Sequence, residues 1–508
     1  MRYLFIFFLI LLVTSILPDH IFVPDQYPSV QSAIYAAAES DTIIVLPGTY
    51  YENIDYLGKE ITIGSLFLFS QDSMYIEDTI IDGNQSGSVV TLNSGEGPNT
   101  KISGLTIRNG LADLGAGFYC YKICFDISDL HVHNNIAYTD GGGLYSKTSD
   151  ITMHNCLFEN NHAEDDGGGI CCVTSSDLDM TDCIIAYNFC SDCGAGICTT
   201  GYSNLYQERS IIHDNLAVND GGGIYQNSSQ GLFIKNVYYN NHSIEGSGAF
   251  DLWWCYISIQ NCTISHNHSL YWAGGISFWH ATFGEIINTI ISYNWGSGIL
   301  SHEEANPYVS YCDLYANTQG DFQGYFPQEN LGLIVEQNYN GDPCDRYSNI
   351  FLIPGYQDSF NHDYHLLESS SCIDAGSPYL PYDPDSTLSD IGAFYYNSQT
   401  ASENQELDEE KNFFLKISPN PLILNSARST EIDISYHLNI NSYVEIIIYN
   451  IKGQRVKKLE GRRISGGDHE TTWNGKDNKG MTVNSGIYLC SLKINSNTED
   501  VIKFTLLR

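Results

Sequence analysis

The sequence predicts an all-β protein in which a long solenoid of parallel strands is followed by a small β-sandwich. Two observations carry this prediction: a motif that repeats about every 26 residues, and its replacement by short alternating strands after residue 412. A repeat of this length indicates stacked units, each burying its apolar face against the next. The repeat is marked by asparagines spaced 26, 26, 27, 27, 26, 26, 27 and 23 residues apart: Asn109, Asn135, Asn161, Asn188, Asn215, Asn241, Asn267, Asn294 and Asn317.

Two further columns of residues share this period. Glycine-rich triplets recur at residues 115–117, 141–143, 167–169, 194–196, 221–223, 246–248, 273–275 and 296–298. Glycine permits positive φ and close backbone approach, so we expect tight corners there. A column made mostly of Cys, Ser and Thr, which suit a narrow interior, lies five residues before each asparagine from Asn135 on: Leu130, Cys156, Cys183, Ser210, Asn236, Cys262, Thr289 and Cys312.

The segments between these columns have the pattern of half-buried strands. Residues 151–154 and 257–260 alternate apolar with polar side chains, and a helical 3.6-residue period is absent there. A period of about 26 residues holds three short strands and three turns but no crossover helix. We therefore expect coils of parallel strands stacked about 4.8 Å apart, with each asparagine bonding its bend to the next amide along the stack.

The glycine triplets, paired with segments such as Cys156 to Asn161 and Ser210 to Asn215, resemble the GGA(I/L)…FxxN repeats of polymorphic outer-membrane proteins. They are also similar to the wider right-handed parallel β-helix superfamily. The resemblance covers about residues 100–320 and implies a right-handed parallel β-helix, the pectin lyase-like fold. That superfamily includes lyases, hydrolases, esterases and adhesins, so the fold alone does not imply a function.

The N-terminal residues predict export and a cap. Residues 1–18 contain a short apolar run after Arg2, which is typical of a signal peptide and too short to span a bilayer. No other segment is long and apolar enough to do so, and the mature chain is expected to lack a transmembrane segment. Residues 21–50 resemble the N-terminal cap of secreted β-helix proteins. Ser29 is a candidate N-cap of a helix whose apolar face, including Val30, Ala33 and Ile34, would cover the open end of the solenoid.

The β-helix is predicted to span residues 19–396. Residues 372–396 resemble a closing segment of bacterial β-helix proteins. Three acids in that segment, Asp383, Asp385 and Asp390, are candidate calcium ligands because Ca²⁺ takes oxygen ligands from short acidic loops. The alternative is a set of turns that these side chains cap through hydrogen bonds. No other cofactor is expected to be required.

Residues 397–412 are acidic and poor in apolar residues, which predicts a linker. Residues 413–508 then show alternating strands and turns, as in a small β-sandwich. Ser418-Pro419-Asn420-Pro421, Trp473-Asn474-Gly475 and the terminal residues 503–508 resemble the C-terminal sorting domains of type IX secretion cargo. They are also similar to the immunoglobulin-like (Ig-like) domain of the flagellar hook-capping protein. The resemblance implies the type IX secretion machinery as a partner and export to the extracellular side of a Gram-negative outer membrane.

The charge is unevenly distributed. The net charge is −37; residues 19–396 carry 46 acidic against 8 basic residues, whereas residues 413–508 carry 9 against 13. Such an acidic solenoid excludes nucleic acid as a partner and disfavours a polyanionic polysaccharide unless Ca²⁺ bridges the charges. Several acids stack near the glycine turns, either as a ladder for cations or as caps of their own turns: Asp140, Asp165, Asp166, Asp192 and Asp220.

Fifteen cysteines in an exported chain raise the question of disulfides, but the number is odd and several fall in the interior column. Stacked, inward-facing thiols are expected for that column. Five others cluster in two adjacent coils, where zinc, a disulfide or simple packing are the alternatives: Cys171, Cys172, Cys190, Cys193 and Cys198.

Five of the six tryptophans fall in three consecutive coils, and they are the candidate ligand residues: Trp253, Trp254, Trp272, Trp279 and Trp295. Exposed aromatic faces bind sugar rings by covering their C–H surfaces while hydroxyl groups bond at the rim. We therefore expect an extracellular glycan or surface ligand at these coils. The alternative is that the indoles pack inside the solenoid.

Catalysis is weakly indicated. Glycoside hydrolysis needs two carboxylates, and two pairs are candidates by position: Asp165 with Asp166, and Asp251 with Glu285. The motifs of pectate lyases, pectin methylesterases and polygalacturonases are absent, as is a serine nucleophile elbow. The sequence thus favours a secreted, surface-attached protein for adhesion or carbohydrate binding. The alternatives are a polysaccharide lyase or glycoside hydrolase acting on a neutral or calcium-bridged glycan, and a structural surface protein.

Overall fold

The computed structural model describes residues 19–397 and, further along, residues 415–418, 422–423, 431–438, 442–450, 455–464, 467–484, 486–494 and 497–507. The chain divides into two compact units, with the boundary after Tyr396. The predicted signal peptide and all but the first residue of the predicted linker lie outside the described residues. The predicted fold class, a right-handed parallel β-helix followed by an Ig-like β-sandwich, is confirmed.

Three long parallel sheets form the β-helix, and each regular coil adds one strand to sheets A and B and two to sheet C. Sheet A has 12 strands: His20–Val23, Thr42–Val45, Thr62–Ser65, Lys101–Ser103, Cys124–Ser128, Asp150–His154, Asp177–Thr181, Asn204–Glu208, Gln230–Ile234, Tyr256–Gln260, Phe283–Ile287 and Asn306–Ser310. Sheet B has 11 strands: Gly48–Tyr51, Thr79–Asp82, Thr106–Arg108, His131–His133, Leu157–Glu159, Ile184–Ala186, Ile211–His213, Val237–Tyr239, Thr263–Ser265, Ile290–Ser292 and Asp313–Tyr315. Sheet C has 17 strands: Ile54–Asp55, Val90–Leu92, Leu111–Ala112, Phe118–Tyr121, Ile136–Ala137, Leu144–Lys147, His162–Ala163, Ile170–Val173, Phe189–Cys190, Ile197–Thr200, Leu216–Ala217, Ile224–Asn227, His242–Ser243, Phe250–Trp253, His268–Trp279, Trp295–Ser301 and Phe322–Gly324.

Alternation along each strand places one set of side chains inside and the other outside. In sheet A, Ile151 pairs with Leu178 and Met153 with Met180, and all four are buried in the core that runs along the solenoid. The register does not slip between coils because a shift of one residue would turn these apolar side chains to solvent.

The asparagine ladder is the polar counterpart of this core. Asn188 is buried at the bend after sheet B, and its Oδ1 accepts from the backbone N–H (2.9 Å) and the Nδ2 (3.1 Å) of Asn161. Its Nδ2 donates to the carbonyl of Phe158 (3.0 Å) and to Oδ1 of Asn215 (3.0 Å). The same pattern joins neighbouring coils from Asn135 to Asn317. The predicted stacking is therefore confirmed for the eight asparagines from Asn135 to Asn317. The prediction is wrong for Asn109, because Gly110 lies opposite Asn135 and its N–H donates to Oδ1 of Asn135 (2.9 Å), while Nδ2 of Asn109 donates to Oδ2 of Asp82 (2.8 Å).

The glycine triplets form the corner at which the two sheet C strands of a coil meet. Gly167 has a φ of +67°, a conformation that L side chains rarely adopt. A Cβ on Gly169 would lie 2.6 Å from the carbonyl oxygen of Gly196 in the next coil. Positive φ at the first position and crowding at the third thus explain why this corner is rich in glycine.

The predicted capping helix covers the start of the solenoid. It spans Val30–Ala36, and Ser29 caps it by accepting from the backbone N–H of Ser32 (3.1 Å). Val30, Ala33 and Ile34 are buried, as their spacing predicts. Two further short helices, Phe67–Ser70 and Met74–Asp78, connect the sheet A strand Thr62–Ser65 to the sheet B strand Thr79–Asp82 and are not evident from the repeat.

The far end of the solenoid is closed by irregular chain. Side-chain atoms of Gln328 bond both the N–H (2.8 Å) and the carbonyl (2.9 Å) of Val309, which blocks the exposed edge of sheet A. Residues of the closing segment pack on the outer face of sheet B around Val237 and Ile290. The remaining elements here are the strands Glu336–Gln337, Pro343–Cys344, Tyr356–Asp358 and Asp363–Leu366 and a 3₁₀ helix at Ser359–Asn361.

The second unit is a β-sandwich of two sheets built around the buried Trp473. Its three-stranded sheet contains Leu415–Ser418, Ile432–Leu438 and Gly467–Trp473, and its five-stranded sheet contains Leu422–Ile423, Asn497–Leu507, Gly486–Ile494, Ser442–Asn450 and Arg455–Ile464. Trp473 Nε1 donates to the carbonyl of Lys476 (2.9 Å), so the buried indole keeps a hydrogen bond. None of the helices in the described part of the chain has the length and hydropathy needed to cross a bilayer.

Candidate functional site

The corner between sheets C and A presents a column of side chains to solvent. Its residues share a positive φ of about 50–66°: Lys122, Thr148, Thr174, Ser175, Tyr202, Ser228, Trp254 and His280. Tyr202 is 78 % exposed and Trp254 is 47 % exposed, while the small Ser228 lies between them. Since neighbouring coils are about 4.8 Å apart, the two aromatic residues flank a gap about 10 Å long.

This gap is the floor of a groove of about 660 Å³. A second column of side chains, Asn204, Gln230 and Tyr256, forms its other wall on the outer face of sheet A. All eight lining side chains are neutral at pH 7 and combine aromatic rings with amides and hydroxyls: Tyr202, Asn204, Asn227, Ser228, Ser229, Gln230, Trp254 and Tyr256. A shallower depression of about 410 Å³ on sheet A shares three of these residues and extends the groove.

None of the five clustered tryptophans is buried in the core. Trp254 stacks on His280 (4.4 Å between ring centroids, 4° between planes), and Trp253 stacks on Trp279 (5.3 Å, 22°). Trp272 meets Trp279 edge-on at 5.0 Å and remains 41 % exposed. These four indoles form one continuous aromatic surface that ends at the groove.

Trp295 stands apart from that surface. It is 57 % exposed and stacks on His268 at 5.4 Å, at the start of its sheet C strand. The structure thus brings together four of the five predicted ligand residues and leaves Trp295 at a separate position.

Asp251 supports the aromatic surface from below. Its Oδ1 accepts from Nε1 of Trp253 (2.8 Å) and its Oδ2 accepts from the N–H of Ser247 (3.0 Å). Burial, followed by the nearby charge of Asp220, raises the pKa of Asp251 to about 8. The predicted pairing of Asp251 with Glu285 is wrong, because Asp251 is buried in sheet C whereas Glu285 is exposed on sheet A.

Asp165 and Asp166 lie in a turn before a glycine triplet rather than in a cleft. Oδ1 of Asp166 accepts from the N–H of Cys193 (3.0 Å) in the next coil, which is the turn-capping alternative. Burial, and then the charges of Asp192, Asp140 and Asp165, raise the pKa of Asp166 to about 7. The two carboxyls therefore act as parts of a turn in this structure.

This turn and the equivalent turn of the next coil together hold the closest gathering of metal-ligating side chains. Ligand atoms of Asp166, Asp192 and Cys193 lie within 4.8 Å of one another, the one such group of three found in the described part of the chain. The Cys193 thiol donates to Oδ1 of Asp192 (3.3 Å). The fourteen cysteines from Cys120 to Cys372 are free thiols, and Cys171 and Cys198 pack side by side as a buried column. Packing is thus the alternative that the geometry favours for this cysteine cluster.

The predicted calcium residues are engaged in turns. Asp390 accepts from the N–H groups of Asp374 (2.7 Å) and Tyr396 (2.6 Å), and Asp383 accepts from the N–H of Asp390 (2.8 Å). Asp385 accepts from the N–H of Thr387 (3.1 Å). These contacts match the turn-capping alternative, and calcium at this loop stays a prediction.

Several groove residues were missed in the sequence: Tyr202, Asn204, Gln230 and Tyr256. A signal for the corner column exists, because Ser228, Trp254 and His280 each lie 13 residues after a ladder asparagine. Aligning the repeats on their asparagines therefore places Trp254 in a column and shows the small serine beside it. Tyr202 is displaced by one residue because its coil is one residue longer.

Two family models match parts of the chain. The FlgD Ig-like domain matches residues 423–498, and the Chlamydia polymorphic membrane protein repeat matches residues 155–173. Both resemblances predicted from the sequence are thereby confirmed. A comparison with curated proteins finds no match.

Two solved structures are similar to parts of the chain. One is PorZ, a surface component of the type-IX secretion system of Porphyromonas gingivalis, with 20 % identity over 24 % of this chain and a TM-score of 0.15. This chain covers 13 % of the PorZ chain. The other is the pectate lyase Pel9A, with 14 % identity over 75 % of this chain and 96 % of that chain and a TM-score of 0.40.

Proposed function

We propose that this chain is a secreted, surface-attached protein that binds a neutral glycan in the groove beside Trp254. The observation that carries the proposal is the pairing of exposed aromatic faces with neutral amides in one groove. Tyr202, Trp254 and Tyr256 offer C–H-binding faces, while Asn204 and Gln230 offer both donors and acceptors for hydroxyl groups. This combination suits a sugar chain better than an apolar or a charged ligand.

Charge supports a neutral rather than an anionic glycan. Residues 19–396 carry a large excess of acidic side chains, and Asp177 lies beside the groove with its Oδ1 bonded to Nδ2 of Asn204 (2.7 Å). A uronate polymer would be repelled by this field, whereas a neutral chain would not.

The lining of the groove also favours binding over catalysis. Hydrolysis needs a pair of carboxylates, and elimination needs a base, at the bound sugar. The eight lining side chains include neither. The lyase or hydrolase alternative is therefore the weaker candidate, and the structural-protein alternative does not account for an exposed aromatic groove.

Location at the cell surface is the second part of the proposal. It is supported by the C-terminal domain, which matches the FlgD Ig-like model and resembles type IX sorting domains in sequence. The type IX machinery would export the chain, and the solenoid would then present the groove outside the cell. Adhesion through a surface glycan is the role that follows.

Replacing Trp254 with alanine is expected to weaken glycan binding about tenfold, because the larger of the two rings that flank the gap is lost. A glycan array with the full chain would first identify a neutral ligand, and isothermal titration calorimetry would then compare the variants. Adding Tyr256→Ala should reduce the affinity further, since that ring lies on the opposite wall.

Tyr138→Ala is the matched control, because Tyr138 is 56 % exposed but lies outside the groove. The affinity of the Tyr138→Ala variant for the glycan should equal that of the unaltered chain. Equal losses in Tyr138→Ala and Trp254→Ala, or an array without any bound glycan, would overturn the proposal. Release of reducing sugars or unsaturated uronates during incubation would support the enzyme alternative instead.

A further inference from the structure

A second cavity, of about 650 Å³, lies near the closed end of the solenoid. It opens between the turn at residues 337–340 and the closing segment at residues 374–388 and shares no residue with the groove beside Trp254. Three tyrosines, Tyr311, Tyr339 and Tyr382, contribute to its wall. Tyr339 is 89 % exposed and Tyr382 is 60 % exposed, so their rings are open to a ligand.

Two side chains that line this cavity each carry a buried polar atom with no hydrogen-bond partner among the described residues: Asn338 at Nδ2 and Asp374 at Oδ1. They come from different segments and are complementary, because one is a donor and the other an acceptor. A buried polar atom without a partner destabilises a fold, so such atoms are rare without a reason. Two such side chains in the lining of one cavity point to a ligand that offers both a donor and an acceptor.

Local contacts hold the Asn338 amide and the backbone of the closing segment in place before any ligand binds. Oδ1 of Asn338 accepts from the N–H of Asp342 (2.8 Å), which fixes the amide. The N–H of Asp374 donates to Oδ1 of Asp390 (2.7 Å), and Nδ2 of Asn340 donates to the carbonyl of Ile373 (2.7 Å). The last bond ties the turn to the closing segment. Such preorganisation reduces the entropy lost on binding.

We propose that this cavity is a second ligand site and that it binds a single sugar residue. One sugar hydroxyl donates to Oδ1 of Asp374, and a neighbouring hydroxyl oxygen accepts from Nδ2 of Asn338. The C–H face of the ring packs on the exposed tyrosines. Asp374 is the one acidic or basic side chain in the lining, so a sugar carrying a carboxylate is excluded by repulsion. The inference is independent of the groove beside Trp254.

Asp374→Asn separates a binding role from a structural one. Asp374 has a φ of +52°, and asparagine is among the residues that tolerate this conformation best. The substitution removes a partly buried charge that has no partner on Oδ1. We therefore expect the melting temperature to stay equal or rise while sugar binding weakens by about tenfold or more. A residue needed only for folding would lower the melting temperature.

The test uses the full chain and four free monosaccharides: glucose, N-acetylglucosamine, glucosamine and glucuronate. Saturation-transfer difference NMR and titration should show binding of at least one of the first three and none of glucuronate. Asn338→Ala should weaken that binding as Asp374→Asn does, whereas Glu368→Gln, which removes an exposed negative charge outside the cavity, should not.

Trp254→Ala distinguishes the two sites, because it should leave monosaccharide binding in this cavity unchanged even if the groove has no ligand. Failure of all the neutral and amino sugars to bind would overturn the inference. So would equal binding to the unaltered chain and Asp374→Asn, which would mean that water alone satisfies the two polar atoms. Preferred binding of glucuronate would contradict the charge argument.

Discussion

Replacing Asn188 with alanine is expected to lower the free energy of unfolding of the β-helix by about 3–5 kcal/mol. Asn188 lies in the middle of the ladder and serves both neighbouring coils. Its removal leaves the N–H of Asn161, the carbonyl of Phe158 and Oδ1 of Asn215 buried, each without a bond that it has now. Each such loss costs about 1–3 kcal/mol, and the small cavity adds to this.

Urea unfolding of the full chain, followed by circular dichroism, measures this effect. Asn93→Ala is the matched control, because Asn93 is exposed and should change stability by less than about 0.5 kcal/mol. Asn188→Asp should be at least as damaging as Asn188→Ala at neutral pH, since a carboxylate oxygen would replace the donor that faces the Phe158 carbonyl. A loss near that of the control would show that the ladder does not stabilise the stacking.

The ladder could be predicted from the sequence because every regular coil has the same bend and places an asparagine there. An amide at the bend satisfies backbone groups that no strand can reach, so the same residue recurs wherever the same bend recurs. The glycine triplets recur for a similar reason, because each coil has another corner at which positive φ and close backbone approach favour glycine. The capping helix was predictable as well, since Ser29 and the spacing of Val30, Ala33 and Ile34 are local signals.

The sites could not be predicted to the same degree because they depend on departures from the repeat. The groove exists because Ser228 is small where Tyr202 and Trp254, at the same position of the neighbouring coils, are large. One small residue in a column does not repeat from coil to coil, so a search for repeats does not detect it. The cavity at Asp374 depends on contacts between residues 337–340 and 374–388, which no local pattern encodes. The predicted pairing of Asp251 with Glu285 rested on their positions in successive coils, but the two residues belong to different sheets.

The acids of the solenoid play two different roles, and sequence alone does not separate them. Most lie on the surface and produce the negative field around the rod. A few are buried, and for some of these burial is the first cause of a raised pKa: about 8 for Asp251 and Asp313, and about 7 for Asp390. Asp313 is held by the N–H of Leu352 (3.1 Å) and the thiol of Cys372 (3.3 Å). Such carboxyls make the stability of the fold depend on pH.

The stability of the β-helix is expected to fall as the pH rises from 6.5 to 8. In the folded chain Asp251 and Asp313 keep their protons up to about pH 8, because the raised pKa of each is about 8. In the unfolded chain they lose them near pH 4. The folded state therefore binds more protons across this range, and each carboxyl contributes a slope of up to about 1.4 kcal/mol per pH unit. The contribution of these two carboxyls to the free energy of unfolding is complete below about pH 4 and lost above about pH 8.

Half-buried histidines set the lower limit of this pH range. Burial is the first cause that lowers the pKa of His133, His242 and His266 to about 4, so these side chains destabilise the fold as the pH falls below 6.5. Between pH 6.5 and 8 these histidines are largely neutral in both states, so the carboxyls of Asp251 and Asp313 determine how the free energy of unfolding changes with pH.

Urea unfolding at half-unit pH steps measures the slope of the free energy of unfolding against pH. Asp251→Asn should reduce it, because one titrating group is removed, whereas Glu303→Gln, which removes an exposed acid, should leave it unchanged. A stability that stays flat or rises over this range would mean that Asp251 and Asp313 are ionised inside the folded solenoid.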